Sequence, residues 1–354
     1  MTKDELARLS PLDISTEDLD RCHDLLGYGA WSAIKGCRIF ITGGTGFVGK
    51  WLLATLLDAN EILGLGCHIS VLSRDPSAFI SIWPDMVDRV EWIKGNVRDI
   101  DTDNKRFDVI VHAAADVIAQ TSPEEIFATC TEGTRQILAL ANQCGASRVL
   151  VLSSGAIYGP LPEGMTHVPE SYMGGPDPLD DASAYGEGKR VSEWLAAQAV
   201  RKGLDVKIAR IFAVVGPHLP LDKHFAIGNF LHAAMNGEDI QVKGDGTPFR
   251  SYLYAADMAA WLWAVLLRGV AGRAYNVGSE ESVSILELAC RVAALIDADL
   301  KALVLRSPSP GQHVQYYVPN TQRARSELSL NCPLPLEQAL LRTAMWHRTR
   351  SIRR

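Results

Sequence analysis

The sequence lacks the marks of several classes of protein. Its seven cysteines are odd in number and never in C-x-x-C spacing, which argues against a disulfide framework or a structural zinc site. They are Cys22, Cys37, Cys67, Cys130, Cys144, Cys290 and Cys332. The nine histidines include no H-E-x-x-H or similarly spaced pair, so no metal is expected.

Long apolar runs and basic blocks are also missing. No stretch reaches the roughly 18 uninterrupted apolar residues that a membrane span needs, and the first residues lack the apolar core of a secretory signal. A formal net charge of -6 without a basic block disfavours nucleic acid as a partner. We therefore expect a cytoplasmic protein with reduced cysteines, acting neither in a membrane nor on nucleic acid.

The 354 residues, 47% of them hydrophobic, are enough for one large domain or two ordinary ones. Residues 1–35 precede the first predicted strand, and Ser15-Thr16-Glu17-Asp18 is a helix-capping pattern, so an N-terminal helical extension is predicted. Residues 36–216 alternate strand-like and helix-like segments. Residues 217–354 are more mixed and are predicted to be mainly a substrate-binding region.

The alternation predicts an α/β fold, a Rossmann-type doubly wound parallel sheet with a smaller C-terminal α/β region. Predicted strands are Arg38–Thr42, His68–Ser73, Val90–Lys94, Val109–His112, Arg148–Ser153 and Val206–Ile211, and the main helices between them are Ile126–Cys144 and Tyr185–Arg201. Ligands of such sheets bind at the carboxyl ends of the strands.

A glycine-rich turn follows the first predicted strand directly. The motif TGGTGFVG, residues 42–49, has Gly43, Gly46 and Gly49 in G-x-x-G-x-x-G spacing and leads into an apolar helix. Glycine lets the backbone approach a pyrophosphate, whose charge the helix N-terminus stabilises. In this setting the motif predicts a dinucleotide site rather than a merely structural turn.

The end of the second strand bears on the choice of dinucleotide. An acidic residue there binds the ribose of NAD, whereas a hydroxyl and an arginine suit the 2′-phosphate of NADP. Ser73 and Arg74 favour NADP(H) over NAD(H). The alternative is that Arg74 points into solvent while Asp75 turns inward to the ribose.

Tyr185 and Lys189 are four residues apart on a predicted helix, and residues at this spacing share a face. A nearby ammonium favours phenolate, so Lys189 is expected to lower the pKa of Tyr185 from about 10 toward neutrality, where general acid/base catalysis is most effective. Ser154 could hold the reacting oxygen. Together with a dinucleotide, this set predicts hydride transfer at a carbon that bears a hydroxyl.

These motifs, taken together, resemble the extended short-chain dehydrogenase/reductase family of NAD(P)-dependent epimerases and dehydratases, which modify nucleotide-activated sugars. The likeness runs from about Gly36 to Leu330. It implies that Ser154, Tyr185 and Lys189 are catalytic, and that Ser154, Tyr185 and Arg250 bind substrate, Arg250 at the diphosphate. The cofactor-binding residues indicated by the motifs and the resemblance are Gly43, Thr45, Gly46, Phe47, Val48, Gly49, Ser73, Arg74, Asn96, Val97, His112, Ala113, Ala114, Ser153, Tyr185 and Lys189.

Several positions depart from the family pattern. Ala213 and Cys130 stand where the family often has asparagine, and Asn96 stands where aspartate is usual. A second phosphate-binding arginine is not evident in Ser309-Pro310-Gly311-Gln312, and Arg306 is a weak substitute. The nucleotide base is therefore not identified by the sequence.

The positions after Ser154 bear on the reaction. The resemblance implies that dehydratases carry an acidic pair and decarboxylases a glutamate there, whereas this chain has Gly155 and Ala156. We therefore expect a 4-epimerase or a 4-ketoreductase of surface-polysaccharide or deoxysugar biosynthesis. Dehydration or decarboxylation would need an acid from the following loop, for which the candidates are Glu163, Glu170 and Asp180.

Two further expectations concern class and assembly. A non-catalytic NADP(H)-binding sensor or scaffold is the alternative of another class, although such a protein needs neither Tyr185 nor Lys189. By analogy with the family, the helices at 126–144 and 185–201 are expected to form a homodimer interface.

Overall fold

The computed structural model describes residues 12–100, 105–115, 121–223, 225–308, 311, 313–330 and 333–353, of which 351–353 only as backbone. Residues 1–11 of the N-terminal extension, Cys332 and all of Ser309–Gln312 except Gly311 lie outside these ranges. No helix in the described ranges is long and apolar enough to cross a membrane. The cysteines that are described are unpaired, and no cluster of metal-ligating side chains occurs among the described residues.

Helices and strands alternate through most of the chain, as predicted. The strands are β1 (Arg38–Thr42), β2 (His68–Ser73), β3 (Glu91–Lys94), β4 (Val109–His112), β5 (Arg148–Ser154), β6 (Val206–Ile211), β7 (Val214–Val215), β8 (Ile240–Val242), β9 (Phe249–Arg250), β10 (Leu253–Tyr254), β11 (Ala274–Val277), β12 (Val283–Ser284), β13 (Ala302–Val304) and β14 (Tyr316–Tyr317). The helices are α1 (Thr16–Leu26), α2 (Phe47–Ile62), α3 (Pro76–Ile82), α4 (Pro123–Cys144), α5 (Ala184–Arg201), α6 (Ala226–Met235), α7 (Ala255–Arg268), α8 (Ile285–Ile296), α9 (Gln322–Leu328) and α10 (Leu336–Arg353).

A seven-stranded parallel sheet forms the centre, in the order β11-β6-β5-β4-β1-β2-β3. Its strands are almost continuous apolar runs because helices cover both faces. The strand order reverses between β1 and β4, where the carboxyl ends leave a crevice. The Rossmann-type α/β fold predicted from the sequence is confirmed.

The C-terminal region contributes more to this sheet than its expected role suggests. The edge strand β11 comes from it and pairs with β6 in the register Tyr275 to Ala209. Helix α7 is buried along its first 12 residues, since it packs against α1 and α2 and against β5 and β6. Residues 217–354 therefore contribute an edge strand and a covering helix to the main sheet, in addition to forming the C-terminal region.

The N-terminal segment packs into the same core. Ser15 caps α1 by accepting the Asp18 N–H, as its sequence pattern predicted. Seven apolar side chains of this segment are at most 1% exposed. They are Leu12, Ile14, Leu19, Cys22, Leu26, Trp31 and Ile34. The described part of the extension is thus an integral layer against α7.

Candidate active site

One cavity of about 790 Å³ lies at the carboxyl ends of the sheet strands and reaches into the C-terminal region. All but one of the predicted site residues line it. They are Gly43, Thr45, Gly46, Phe47, Val48, Gly49, Ser73, Arg74, Asn96, Val97, Ala113, Ala114, Ser153, Ser154, Tyr185, Lys189 and Arg250. The structure therefore brings together motifs that are more than 200 residues apart in the chain.

The glycine turn occupies the crevice between β1 and β4. Gly43 has a φ of +70°, and a side-chain Cβ there would lie 2.7 Å from the backbone of Ala113 and Ala114. A Cβ on Gly49 would lie 2.0 Å from the Gly43 carbonyl oxygen. Helix α2 begins at Phe47, so its first N–H groups face the cavity end of the turn. This close-packed turn fits the pyrophosphate of a dinucleotide.

The residues after β2 and β3 form the adenosine end of the cavity. Asp75 does not turn inward, because its carboxylate accepts the Ala78 N–H at 3.0 Å and caps α3. Arg74 lines the cavity beside Ser73. Asn96 Oδ1 accepts the Arg98 N–H at 3.0 Å, and the Arg98 guanidinium is 2.8 Å from Glu125.

His112 is the exception among the predicted cofactor residues. It is 1% exposed, absent from the cavity wall, and lies 2.9 Å from Thr42 Oγ1 and 3.1 Å from Thr134 Oγ1. Burial, with a smaller effect of Lys189, lowers the pKa of His112 to about 3, so the ring is neutral. The prediction of direct cofactor contact is therefore corrected. His112 supports Thr42, whose hydroxyl accepts the Ala114 N–H at 3.2 Å.

The expected catalytic side chains converge where β5 meets α5. Ser154 ends β5 and is 6% exposed, while Tyr185 and Lys189 lie in the first two turns of α5. The Lys189 ammonium donates to the Leu152 carbonyl at 2.7 Å and lies 5.8 Å from the centroid of the Tyr185 ring. Gly186 lets α5 pack closely against the segment after β5, because a Cβ there would be 2.7 Å from the Ala156 carbonyl oxygen.

The expected lowering of the Tyr185 pKa is not found. Burial raises the pKa of Tyr185 above its ordinary value, and the Ser154 hydroxyl opposes this shift. Burial also lowers the pKa of Lys189, against the opposing effects of Cys130 and Glu193. The sequence spacing puts the two side chains on one face, but burial, and not the effect of one side chain on the other, is the main influence on both pKa values.

A buried polar network holds the end of β5 in place. Ser153 donates to Glu193 at 2.5 Å, and Glu193 forms a bidentate ion pair with Arg210 at 2.7 Å. Tyr158 donates to Asn276 Oδ1 at 2.7 Å and is 2% exposed, so its hydroxyl supports the fold.

Arg250 brings a positive charge to the far end of the cavity. It is half-buried, and its guanidinium donates to the Phe249 carbonyl at 2.8 Å. Burial lowers the pKa of Arg250, while Tyr252 and Tyr317 oppose this. No carboxylate in the described part of the chain forms an ion pair with it, which suits an arginine that binds an anionic ligand. Arg306 is exposed and does not line the cavity.

Four aromatic residues in the cavity wall were not predicted, Phe225 at the start of α6 and three that lie nearer to Ser154. Phe212, Tyr252 and Tyr317 all line it, and the Tyr317 hydroxyl is 3.5 Å from Ser154 Oγ. No local sequence motif marks Tyr317, which reaches the cavity because β14 pairs with β9. Tyr252 lies two residues after Arg250 in the same segment, but the resemblance indicated a site role only for Arg250.

None of the loop acids considered for dehydration or decarboxylation lines the cavity. Glu163 is exposed, and Asp180 accepts the Ala182 N–H at 2.9 Å. Glu170 accepts the Asn276 N–H at 2.9 Å and lies near Arg323. Glu125, at the adenosine end, is the carboxylate in the described cavity wall.

Comparison with known proteins decides the family. A model of the NAD dependent epimerase/dehydratase family matches residues 39–278. The chain belongs to this family. It is therefore an enzyme of the extended short-chain dehydrogenase/reductase type, as its motifs indicated, and the hypothesis of a non-catalytic sensor or scaffold is set aside.

Relatives within the NAD dependent epimerase/dehydratase family differ in activity. UDP-glucuronic acid decarboxylase 6 of Arabidopsis thaliana is 30% identical over 315 residues, which are 86% of either chain. A UDP-glucose 4-epimerase from Thermotoga maritima superposes with a TM-score of 0.76 at 21% identity, over 89% of this chain and 99% of its own. A dTDP-glucose 4,6-dehydratase from Streptomyces venezuelae, solved with NAD, has a TM-score of 0.74 at 25% identity over 88% and 97%.

Proposed function

We propose that this enzyme transfers a hydride at C4 of a nucleotide-activated sugar, as a 4-epimerase or a 4-ketoreductase. One observation carries the proposal. Ser154, Tyr185 and Lys189 meet in the cavity that also contains the phosphate-binding turn, and the positions after Ser154 are Gly155 and Ala156. Hydride transfer at C4 needs no carboxylate beside Ser154, whereas elimination of water requires a further acid and base.

The side chains supply the proton chemistry. The nicotinamide, when bound, accepts or donates the hydride at C4. Ser154 holds the C4 oxygen, and Tyr185 takes the hydroxyl proton during oxidation or returns it during reduction. Lys189 would hold the nicotinamide ribose while its ammonium also donates a hydrogen bond to the Leu152 carbonyl oxygen. An epimerase returns the hydride to the opposite face of the same sugar, whereas a ketoreductase delivers it once.

For the dinucleotide, we propose NADP(H). Asp75 is engaged at the N-terminus of α3, and Ser73 and Arg74 lie at the adenosine end of the cavity. A guanidinium binds a 2′-phosphate through charge-assisted hydrogen bonds. The neighbours solved with NAD, the dehydratases from Streptomyces venezuelae and Bacillus anthracis, speak for NAD. Titration of the protein with both oxidised dinucleotides separates the two cofactors.

For the substrate, we propose a sugar linked to a nucleoside diphosphate. The cavity extends from Tyr185 past Arg250 to the start of α6, where Phe225, Ala226 and Ile227 line it. A positive charge that lacks an ion-pair partner among the described residues suits the diphosphate. Ala213 lines the cavity without the amide that the family often has there, so Arg250 bears more of the diphosphate binding.

A second candidate is decarboxylation of UDP-glucuronate, because the relatives 30% identical over most of both chains carry that activity. Oxidation at C4 makes the C5 carboxylate a β-keto acid, which loses carbon dioxide when the carbonyl is polarised. The hydride then returns to C4. This reaction uses the same three side chains but needs a proton donor for C5.

A substrate panel tests the two candidates. The protein is incubated with either dinucleotide and UDP-glucose, UDP-N-acetylglucosamine, dTDP-glucose, UDP-glucuronate or a dTDP-4-keto sugar, with the Tyr185→Phe variant as control. Isomer formation without net change in the dinucleotide identifies an epimerase, and stoichiometric oxidation of the reduced dinucleotide identifies a ketoreductase. Release of carbon dioxide from UDP-glucuronate identifies the second candidate. The assignment is contradicted if no substrate of the panel is turned over, or if the Tyr185→Phe variant turns a substrate over at the wild-type rate.

We also propose a homodimer formed by α4 and α5. These two helices pack tightly on each other, since a Cβ on Gly188 would lie 2.9 Å from Cys130 Cβ. Their outer surfaces expose large apolar side chains, with Trp194 61% and Phe127 39% exposed. Aromatic side chains of this kind are enriched in interfaces between subunits.

A further inference from the structure

We propose that Tyr317 is a positioning residue that orients the Ser154 hydroxyl, and through it the C4 oxygen of the sugar. The inference rests on the proposed function and extends it to a side chain outside the Ser154, Tyr185 and Lys189 set. The Tyr317 hydroxyl lies 3.5 Å from Ser154 Oγ in the wall of the same cavity. This separation is longer than an ideal O–H···O bond, and such bonds often tighten when substrate binds.

The hydrogen-bonding capacity of Ser154 explains the role. A serine hydroxyl has one proton and two lone pairs. Ser154 Oγ already accepts the Ala156 N–H at 3.1 Å. If Tyr317 donates to the other lone pair, the serine proton has to point away from both, toward the side of the cavity where the Tyr185 hydroxyl lies. A sugar oxygen bound between Ser154 and Tyr185 then takes the place of the phenol as the acceptor of this proton.

The Tyr317 phenol is in the correct state to donate. Burial raises its pKa above the ordinary value, although Ser154 and Arg250 oppose the shift. The phenol is therefore protonated at neutral pH. It can thus donate a hydrogen bond to Ser154 Oγ.

The surroundings of Tyr317 fix its ring. Strand β14 pairs with β9 so that Tyr317 lies opposite Arg250, and the Arg250 guanidinium is 5.6 Å from the ring centroid. The Phe212 ring packs at 4.8 Å between centroids on Tyr317. Because the arginine that we assign to the diphosphate contacts the ring whose hydroxyl approaches Ser154, the two ends of the sugar site are physically linked.

Gly155 provides the space that this arrangement needs. A Cβ at Gly155 would lie 2.8 Å from the Tyr317 hydroxyl and 2.7 Å from the Phe212 ring. A larger residue after Ser154 would therefore displace Tyr317. Gly155 cannot transfer protons, but its lack of a side chain leaves room for the Tyr317 hydroxyl beside Ser154.

A double-mutant cycle tests the inference on the panel substrate that the wild-type protein turns over. Tyr317→Phe keeps the ring and its contacts with Phe212 and Arg250 but removes the hydroxyl. We expect kcat to fall about tenfold, the effect of one lost hydrogen bond, with KM and dinucleotide affinity unchanged. In the Ser154→Ala background, Tyr317→Phe should cause no further loss, because a positioning residue acts only through its partner.

The neighbouring Tyr316 gives the matched control. Its ring stacks on Phe249 at 4.8 Å and does not line the cavity, so Tyr316→Phe should keep wild-type kcat. Thermal unfolding of each variant establishes that it is folded. Full kcat in Tyr317→Phe, a raised KM without loss of kcat, or losses that multiply with Ser154→Ala would overturn the inference. Wild-type turnover of no panel substrate, or unimpaired Ser154→Ala and Tyr185→Phe, would instead overturn the proposed function itself.

Discussion

Tyr185 is buried, which favours its protonated phenol, whereas its proposed role as a base requires the phenolate. Burial raises its pKa, so the phenol is protonated at neutral pH in this structure. Oxidation of a C4 hydroxyl needs the phenolate, whereas reduction of a C4 ketone needs the phenol. The two directions of the reaction should therefore depend differently on pH.

We predict that kcat/KM in the oxidative direction rises with pH through neutrality, by about tenfold per pH unit below the Tyr185 pKa. In the reductive direction it should be flat near neutrality and fall only at alkaline pH. Rates measured from about pH 6 to about pH 10 in both directions check this. An oxidative rate that is already flat near neutral pH would mean that cationic neighbours in the complex outweigh burial.

Arg74 is the residue on which the proposed preference for NADP rests. We predict that Arg74→Ala weakens NADP+ binding by about tenfold or more, through loss of a charge-assisted contact, and leaves NAD+ binding unchanged. Arg89→Ala is the control, because Arg89 is exposed and pairs with Glu61 outside the cavity. Isothermal titration gives both affinities. Equal effects of Arg74→Ala on the two dinucleotides would speak against a 2′-phosphate contact.

How well a site residue could be predicted depended on how local its signal is. Gly43, Gly49 and the Tyr185 to Lys189 spacing are contiguous patterns, so their placement in the cavity followed from the sequence. Tyr317 reaches Ser154 only through the pairing of β14 with β9. His112 was assigned to the cofactor, but the packing of helix α4 over β4 places Thr134 against its ring instead. Ionisation was least predictable, because burial is a property of the folded chain.

Among the helices, α1 had no role that its sequence could indicate. Arg21 on this helix forms a bidentate ion pair with Asp257 at the start of α7, at 2.5 Å and 3.2 Å. The Asp257 side chain is fully buried and also accepts the Leu334 N–H at 2.6 Å. This carboxylate therefore joins α1, α7 and the segment before α10.

We predict that Arg21→Ala lowers the free energy of unfolding by about 3 kcal/mol, because it leaves a buried carboxylate without its cation. Arg38→Ala is the matched control, since the Arg38 to Asp108 pair is largely exposed and its loss should change stability little. Chemical denaturation of both variants measures the difference. Equal stability of the two variants would show that the Arg21 to Asp257 ion pair contributes little to stability.

Strands and long helices were predictable because each has a strong local pattern. Strand β1 has the predicted limits, and α5 begins one residue before the predicted helix. The short strands β9, β12 and β14 were not separable, since two-residue strands carry no periodicity. The place of strand β11 at the edge of the main sheet depends on long-range pairing with β6, which no local pattern reveals.

The assembled protein is expected to be a dimer through α4 and α5. We predict that the wild-type protein is dimeric at micromolar concentration and that Trp194→Glu is monomeric, because a charge would be buried opposite its own copy. Leu305→Glu, at a side chain 56% exposed outside these helices, should stay dimeric. Light scattering distinguishes these states. A monomeric wild-type protein, or a dimeric Trp194→Glu variant, would contradict the proposal.

The epimerase, ketoreductase and decarboxylase hypotheses all require the C4–H bond to break or form at the nicotinamide, with Tyr185 moving the proton. The most direct test uses a nucleotide sugar that carries deuterium at C4, in a single turnover with stoichiometric oxidised dinucleotide. We predict that the deuterium passes to the nicotinamide, or returns to C4 of the product, and slows turnover, while Tyr185→Phe binds the dinucleotide but forms no product. Product that forms at an unchanged rate, with the deuterium never leaving C4, would contradict hydride chemistry at this site.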